Sequence, residues 1–192
     1  MKNRHNNGVS IKQILSFLII PSLVFLISGC QLNENQAAEY INKGVVITNN
    51  LPISASSPAM GKDLETLIED VFKGIPLEEI KRRVAAFDND ETIIKDAIAK
   101  ANAEYQKVLK QGAKSDVVAH AKNLMSLNEV IIEINDKILA LLHSYISSVE
   151  GGGSPNLRSI VTQSAGEYAI LETKYEKLRM AVEDFINSNN PK

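Results

Sequence analysis

The sequence predicts an all-α protein: an antiparallel helical bundle in which two long C-terminal helices form a coiled-coil-like hairpin, with shorter helices before them. Two observations carry this expectation. Residues 115–150 contain neither proline nor glycine, and Gly151-Gly152-Gly153-Ser154-Pro155 then stops the chain and restarts it. On both sides of that turn, apolar residues recur at alternating intervals of four and three, an average of about 3.5 that marks a bundle seam.

The elements before the hairpin are shorter and more heavily punctuated. Asn33 to Lys43 reads as a short amphipathic helix closed by Gly44. Val45 to Ser57 lacks a helical period and holds Asn49-Asn50, Pro52 and a Ser-Ala-Ser-Ser cluster. It reads as an irregular connector, partly extended at Val45-Val46-Ile47. Ser57-Pro58 then supplies an N-cap and a first-turn proline for a helix burying Leu64, Leu67, Ile68, Val71 and Phe72 before Gly74. Pro76 opens another short helix with Leu77, Ile80 and Val84 on one side. Asp88, three residues before Glu91, has the spacing of a capping box, which would start a new helix running to Gly112.

Ser115 caps the first long helix of the hairpin. Its seam is Val117, Ala121, Leu124, Asn128, Ile131, Asn135, Ile138, Leu142, Tyr145 and Val149. Val118, Met125, Ile132, Leu139 and Ile146 widen the stripe on one flank, and Leu127, Ile134 and Leu141 on the other, so this helix should be central. The last helix, to about Asn187, carries Leu157, Val161, Ser164, Tyr168, Leu171, Tyr175, Leu178, Val182 and Phe185 between charged flanks, and should be peripheral. Folding at the Gly-rich turn pairs residues whose numbers add to about 306. Asn135 then faces Leu171, between Tyr168 and Tyr175, and a buried amide needs a partner. The expected partner of Asn135 or Asn128 is a tyrosine hydroxyl across the hairpin.

The first thirty residues have a different character. Lys2, Arg4 and Lys12 occur without any acidic residue, and an apolar run from Ile14 to Ile27 follows, interrupted only by Ser16, Pro21 and Ser22. This is the layout of a secretory signal, and the run is short for a membrane span, which takes about 20 apolar residues. The sole cysteine closes it, in Ile27-Ser28-Gly29-Cys30. That quartet resembles the lipobox of bacterial lipoproteins. The resemblance covers the export signal alone. It implies cleavage before Cys30, a thioether to diacylglycerol at its sulfur, and an added acyl chain, palmitate being typical, on its new N-terminus. Two or three chains make a stable anchor. It also implies an envelope location: the outer membrane facing the periplasm in a Gram-negative host, since Gln31 rather than Asp follows the cysteine, or the extracytoplasmic face of the plasma membrane in a Gram-positive one. The chain then divides into a signal peptide (1–29), a lipid anchor with short helix and linker (30–57), and a helical bundle domain (58–192).

Removing residues 1–29 takes three basic and no acidic residues, leaving 18 basic against 23 acidic and a net charge of −5. That balance argues against a nucleic-acid binder and against adsorption to anionic lipid through a basic face. With Cys30 acylated, no thiol remains for disulfides, iron–sulfur clusters or nucleophilic catalysis. The remaining 163 residues can bury a core without staples.

Candidate chemistry is sparse. His120 and His143 lie on one helix at a separation of roughly 34 Å and cannot share a metal. Asp116 is one turn from His120 but is better explained by the helix dipole. His143 reads as a surface residue, and Glu129 with Glu133 as a solvated face. Tyr105 reads as core, and Tyr40 carries no signal of its own. The Glu-x-x-His pairs of di-iron bundles are absent, and Gly151–Gly153 lacks the Gly-Lys-Ser/Thr end of a phosphate loop. No catalytic residue, metal ligand or cofactor is expected. Asn128 and Asn135, seven residues apart in an apolar stripe, read first as register-setting polar residues. The other reading makes them, with Tyr168 and Tyr175, the lining of a pocket for a small apolar or peptide ligand. The function expected is therefore a non-catalytic interaction module held at the membrane through Cys30. Its partner would be another envelope protein, in an assembly, immunity or exclusion role. A ligand-binding bundle is the alternative.

Overall fold

The computed structural model describes residues 32–51 and 66–189, and five helical segments account for nearly all of them. They are α1 (Leu32–Asn49), α2 (residues 66–72), α3 (Leu77–Lys110), α4 (Ser115–Glu150) and α5 (Leu157–Asn189). The described residues contain no strand, and none of these helices is long and apolar enough to cross a membrane. The signal and lipobox, residues 52–57 of the expected connector, the Ser57-Pro58 cap and Leu64 lie outside the described residues.

The three long helices lie side by side and antiparallel, with α4 packed against α3 on one flank and α5 on the other. The 306 register holds to within a turn: Lys137 pairs with Glu167, and the His120 ring stacks on Phe185. The hairpin between α3 and α4 is read the same way from its rungs, Lys81 to Glu150, Asp88 to His143, Lys95 to Asp136 and Asn102 to Asn128. The turns that reverse the chain place Gly112 and Gly152 at φ +65° and +79°, where a side chain would be strained.

The two shorter segments cover different halves of the α3–α4 pair. Leu67, Ile68 and Val71 of α2 join Ile80, Val84, Phe87, Ile94 and Ile98 of α3 in a large cluster with Ile131, Ile138 and Leu142 of α4 and Tyr168, Leu171 and Tyr175 of α5. Ala37, Ile41 and Val45 of α1 form a second cluster with Ala101, Tyr105 and Val108 of α3 and Ala121 of α4. Each Ile or Leu so buried contributes about 1.5–3 kcal/mol, so interhelical packing, more than intrinsic propensity, holds these long helices.

Four sequence expectations are corrected. Gly44 does not end α1, which continues through Val45-Val46-Ile47 to Asn49. Its missing side chain serves packing instead: a Cβ there would sit 2.3 Å from the Tyr105 ring, so glycine lets α1 close on α3. Asp88 starts no helix. Pro76 opens one continuous α3 of 34 residues, with Glu78 and Glu79 in its first turn and Lys107 and Lys110 in its last, as the helix dipole favours. Ser115 is the first helical residue rather than its cap, and Asp116 Oδ1 accepts from the Val117 N–H. Phe72 is 42% exposed, because Leu67, Ile68 and Val71 define the inner face of α2 and Phe72 points away from it.

Candidate functional site

The features that need explaining are polar side chains inside the bundle. Asn128 and Asn135 arrive in the core because they occupy seam positions of α4. Both are buried, Asn135 completely. The expected bond to a tyrosine hydroxyl on α5 is not formed by either amide. Asn135 Nδ2 donates to Glu91 Oε2 at 2.8 Å, and Asn128 Nδ2 donates to Asn102 Oδ1 at 2.8 Å, so both partners are on α3. Asn102 and Asn128 sit where the two apolar clusters meet: Ile98 and Leu127 nearby belong to the large cluster, Ala101 and Leu124 to the small one. Tyr168 and Tyr175 are buried in the large cluster from the α5 side.

Glu91 was not anticipated as a core residue, since its spacing from Asp88 resembles a cap. Continuous α3 instead carries it to the inner stripe with Phe87, Ile94 and Ile98, 3% exposed. Burial pushes its carboxyl up to about 7. The Asn135 hydrogen bond and the Lys95 ammonium pull the other way, while Asp136 adds to the rise. Lys95 Nζ stays 3.9 Å from Glu91 Oε1, beyond hydrogen-bond range, and bonds to Asp136 instead. Glu91 Oε1 and Asn135 Oδ1 are consequently buried acceptors without a donor. A proton on Glu91 provides the missing donor, because a neutral carboxylic acid and an amide can share two hydrogen bonds where a carboxylate and an amide share one. Burial thus favours the neutral acid at this position.

The histidines have opposite surroundings. His120 is 2% exposed, stacked on Phe185 with ring centroids 4.0 Å apart, and burial holds its imidazole down to about 4. Asp116 is exposed and engaged with the Val117 N–H, so the two form no chelate. His143 is at the surface as expected, with Nε2 2.9 Å from Asp88 Oδ1. Tyr105 is core, and Tyr40 lies under Lys43 and Lys107, whose ammonium groups are 5.7 and 5.3 Å from its ring centre. Among the described residues no group of three His, Cys, Asp or Glu side chains could hold a metal ion.

On the surface, an open groove of about 550 Å³ runs between α1 and α3, lined by Asn35, Glu39, Asn42, Lys43, Ile47 and Glu104. Ile170 and Met180 project from the outer side of α5, 70% and 56% exposed. Compared with protein-family models, curated proteins and solved structures, the chain matches none.

Proposed function

We propose that this chain is a lipid-anchored envelope protein whose bundle acts as a non-catalytic interaction module, in an assembly, immunity or exclusion role toward another envelope protein. The observation that carries the reading is Ile27-Ser28-Gly29-Cys30 directly after a basic start and an apolar run. The long helices, with Ile170 and Met180 exposed on α5, support it by leaving apolar side chains on the surface for a partner to cover. An alkyne fatty acid fed to producing cells labels the wild-type protein and not Cys30→Ser. Cross-linking in the intact envelope then captures one reproducible protein with the wild type and loses it with the unanchored variant. Labelling that persists in Cys30→Ser defeats the reading.

A second reading keeps Asn128, Asn135, Tyr168 and Tyr175 as the lining of a site for a small apolar or peptide ligand. The buried Tyr168 hydroxyl, without a hydrogen-bond partner among the described residues, favours it. Xenon or benzene titrated against the protein would then shift the NMR signals of those side chains before any others.

A further inference from the structure

The two ends of the bundle differ in their distance from Cys30. Only Gln31 separates that residue from Leu32, where α1 begins, and two Cα steps span at most about 7 Å. The direction of α1 then decides which end of the bundle lies beside the anchor. Gly44 sits on the Tyr105 ring and Tyr40 lies under Lys107, so α1 runs antiparallel to α3 and its N-terminus points past the C-terminal end of that helix. The packing agrees: Ala113 in the α3–α4 turn and Val117 at the start of α4 close the α1 cluster at that end.

We infer that the bundle stands on the bilayer with the α3–α4 turn, residues 111–114, against the lipid headgroups. The α4–α5 turn, Gly151–Gly153, is then held away from the bilayer by the length of α4, whose 36 residues at 1.5 Å each span about 54 Å. This rests on the reading of Cys30 as the acylated N-terminus. The tether fixes which end is near, and charge sets the tilt. From Lys107 to Ser115 the chain has three lysines and no acid, and all three are exposed; Lys107 is already paired with Glu104, and lipid phosphates complement Lys110 at the end of α3. The long sides carry charge of both signs in cross-helix pairs, Lys81–Glu150, Lys95–Asp136 and Lys137–Glu167, and offer a flat membrane no single-sign face to lie on. The acidic net charge of the mature chain is no obstacle, because it is the acyl chains that hold the protein at the surface.

The chain has no tryptophan, so one introduced residue is a unique fluorescent reporter. Full-length protein carrying Gln111→Trp or Ser154→Trp, made with its signal, is extracted from membranes and reconstituted into phosphatidylcholine–phosphatidylglycerol vesicles. The vesicles contain a lipid with a nitroxide on its headgroup. Severalfold quenching of the Gln111→Trp reporter with none at Ser154→Trp is the expected result, at unchanged helical circular dichroism. Equal quenching at both positions, meaning a bundle lying flat, or stronger quenching at Ser154→Trp overturns the orientation. The mass of the N-terminal peptide from the same sample separates the two levels. An unmodified Cys30 removes the anchor reading and the orientation with it, whereas an acylated Cys30 with the wrong quenching pattern removes the orientation alone.

Discussion

The two seams of α4 are built from different materials. Toward α3, the apolar rungs are interrupted by Glu91–Asn135 and Asn102–Asn128, two polar contacts that form only in one alignment of the helices. Toward α5 the interior is occupied by Tyr168, Leu171, Tyr175 and the stacked His120–Phe185 rings, so aromatic packing dominates the contact. A slip by one turn at the first seam leaves buried amides and a carboxyl without partners, at about 1–3 kcal/mol each. At the second seam a slip costs mainly misfitted volume. One helix therefore meets buried polar pairs on one flank and mainly packed rings on the other, and the buried carboxyl, Glu91, lies at the first seam.

The largest expected effect breaks the packed seam. Tyr175→Ala removes a ring that is 2% exposed and should cost about 3–5 kcal/mol in urea unfolding, with little dependence on pH. A loss below 1 kcal/mol would mean that α5 adds little to the fold.

Next in size is the pH response of the polar seam. Glu91 holds its proton to about 7 in the folded chain against an ordinary 4.5, so its stabilising contribution is complete below about 4.5 and is lost as pH rises to about 7. His120 has the opposite sign: kept neutral down to about 4 against an ordinary 6.5, it contributes above 6.5 and loses that contribution as pH falls toward 4. Each has a limiting slope of about 1.4 kcal/mol per pH unit. The two nearly cancel between about 4.5 and 6.5, and the wild-type profile is flat there. Glu91→Gln should be more stable than the wild type by up to about 3 kcal/mol at pH 8, and should expose the acid-side loss due to His120. Unfolding midpoints measured from pH 4 to 8 check this, and parallel profiles for the two proteins would contradict it.

The smallest effect lies at the rim. Lys137→Ala breaks the exposed Lys137–Glu167 pair across the packed seam and should change stability by no more than about 0.5 kcal/mol. A larger loss would assign part of the α4–α5 register to charge and blur the contrast between the seams.

Much of the fold was legible because its signals are local or periodic. The Gly151–Gly153 stop, the unbroken run before it and the alternation of four and three placed α4, α5 and their register. Where the reading failed, a local motif competed with a distant partner. Asp88 and Glu91 have the spacing of a cap, but the apolar stripe from Phe87 to Ile98 continues through them and Asn135 is available to Glu91, so the helix does not stop. Gly44 looks like a terminator until Tyr105, sixty-one positions away, is seen to occupy the space above it. Of the candidate site residues, the burial of Asn128, Asn135, Tyr168 and Tyr175 was readable from the seam, but the partners of the two amides were not.

By itself the sequence determined where the two helices of the C-terminal hairpin lie and which of their faces turn inward, because backbone breakers and a 3.5-residue period act along the chain and need no knowledge of neighbours. Only the tertiary structure decided that the amides of α4 answer to α3, that a glutamate enters the core, and that α1 begins beside the α3–α4 turn. Those outcomes depend on which surfaces meet in space, and a hydrogen bond or a missing Cβ has meaning only at the few ångströms where they do.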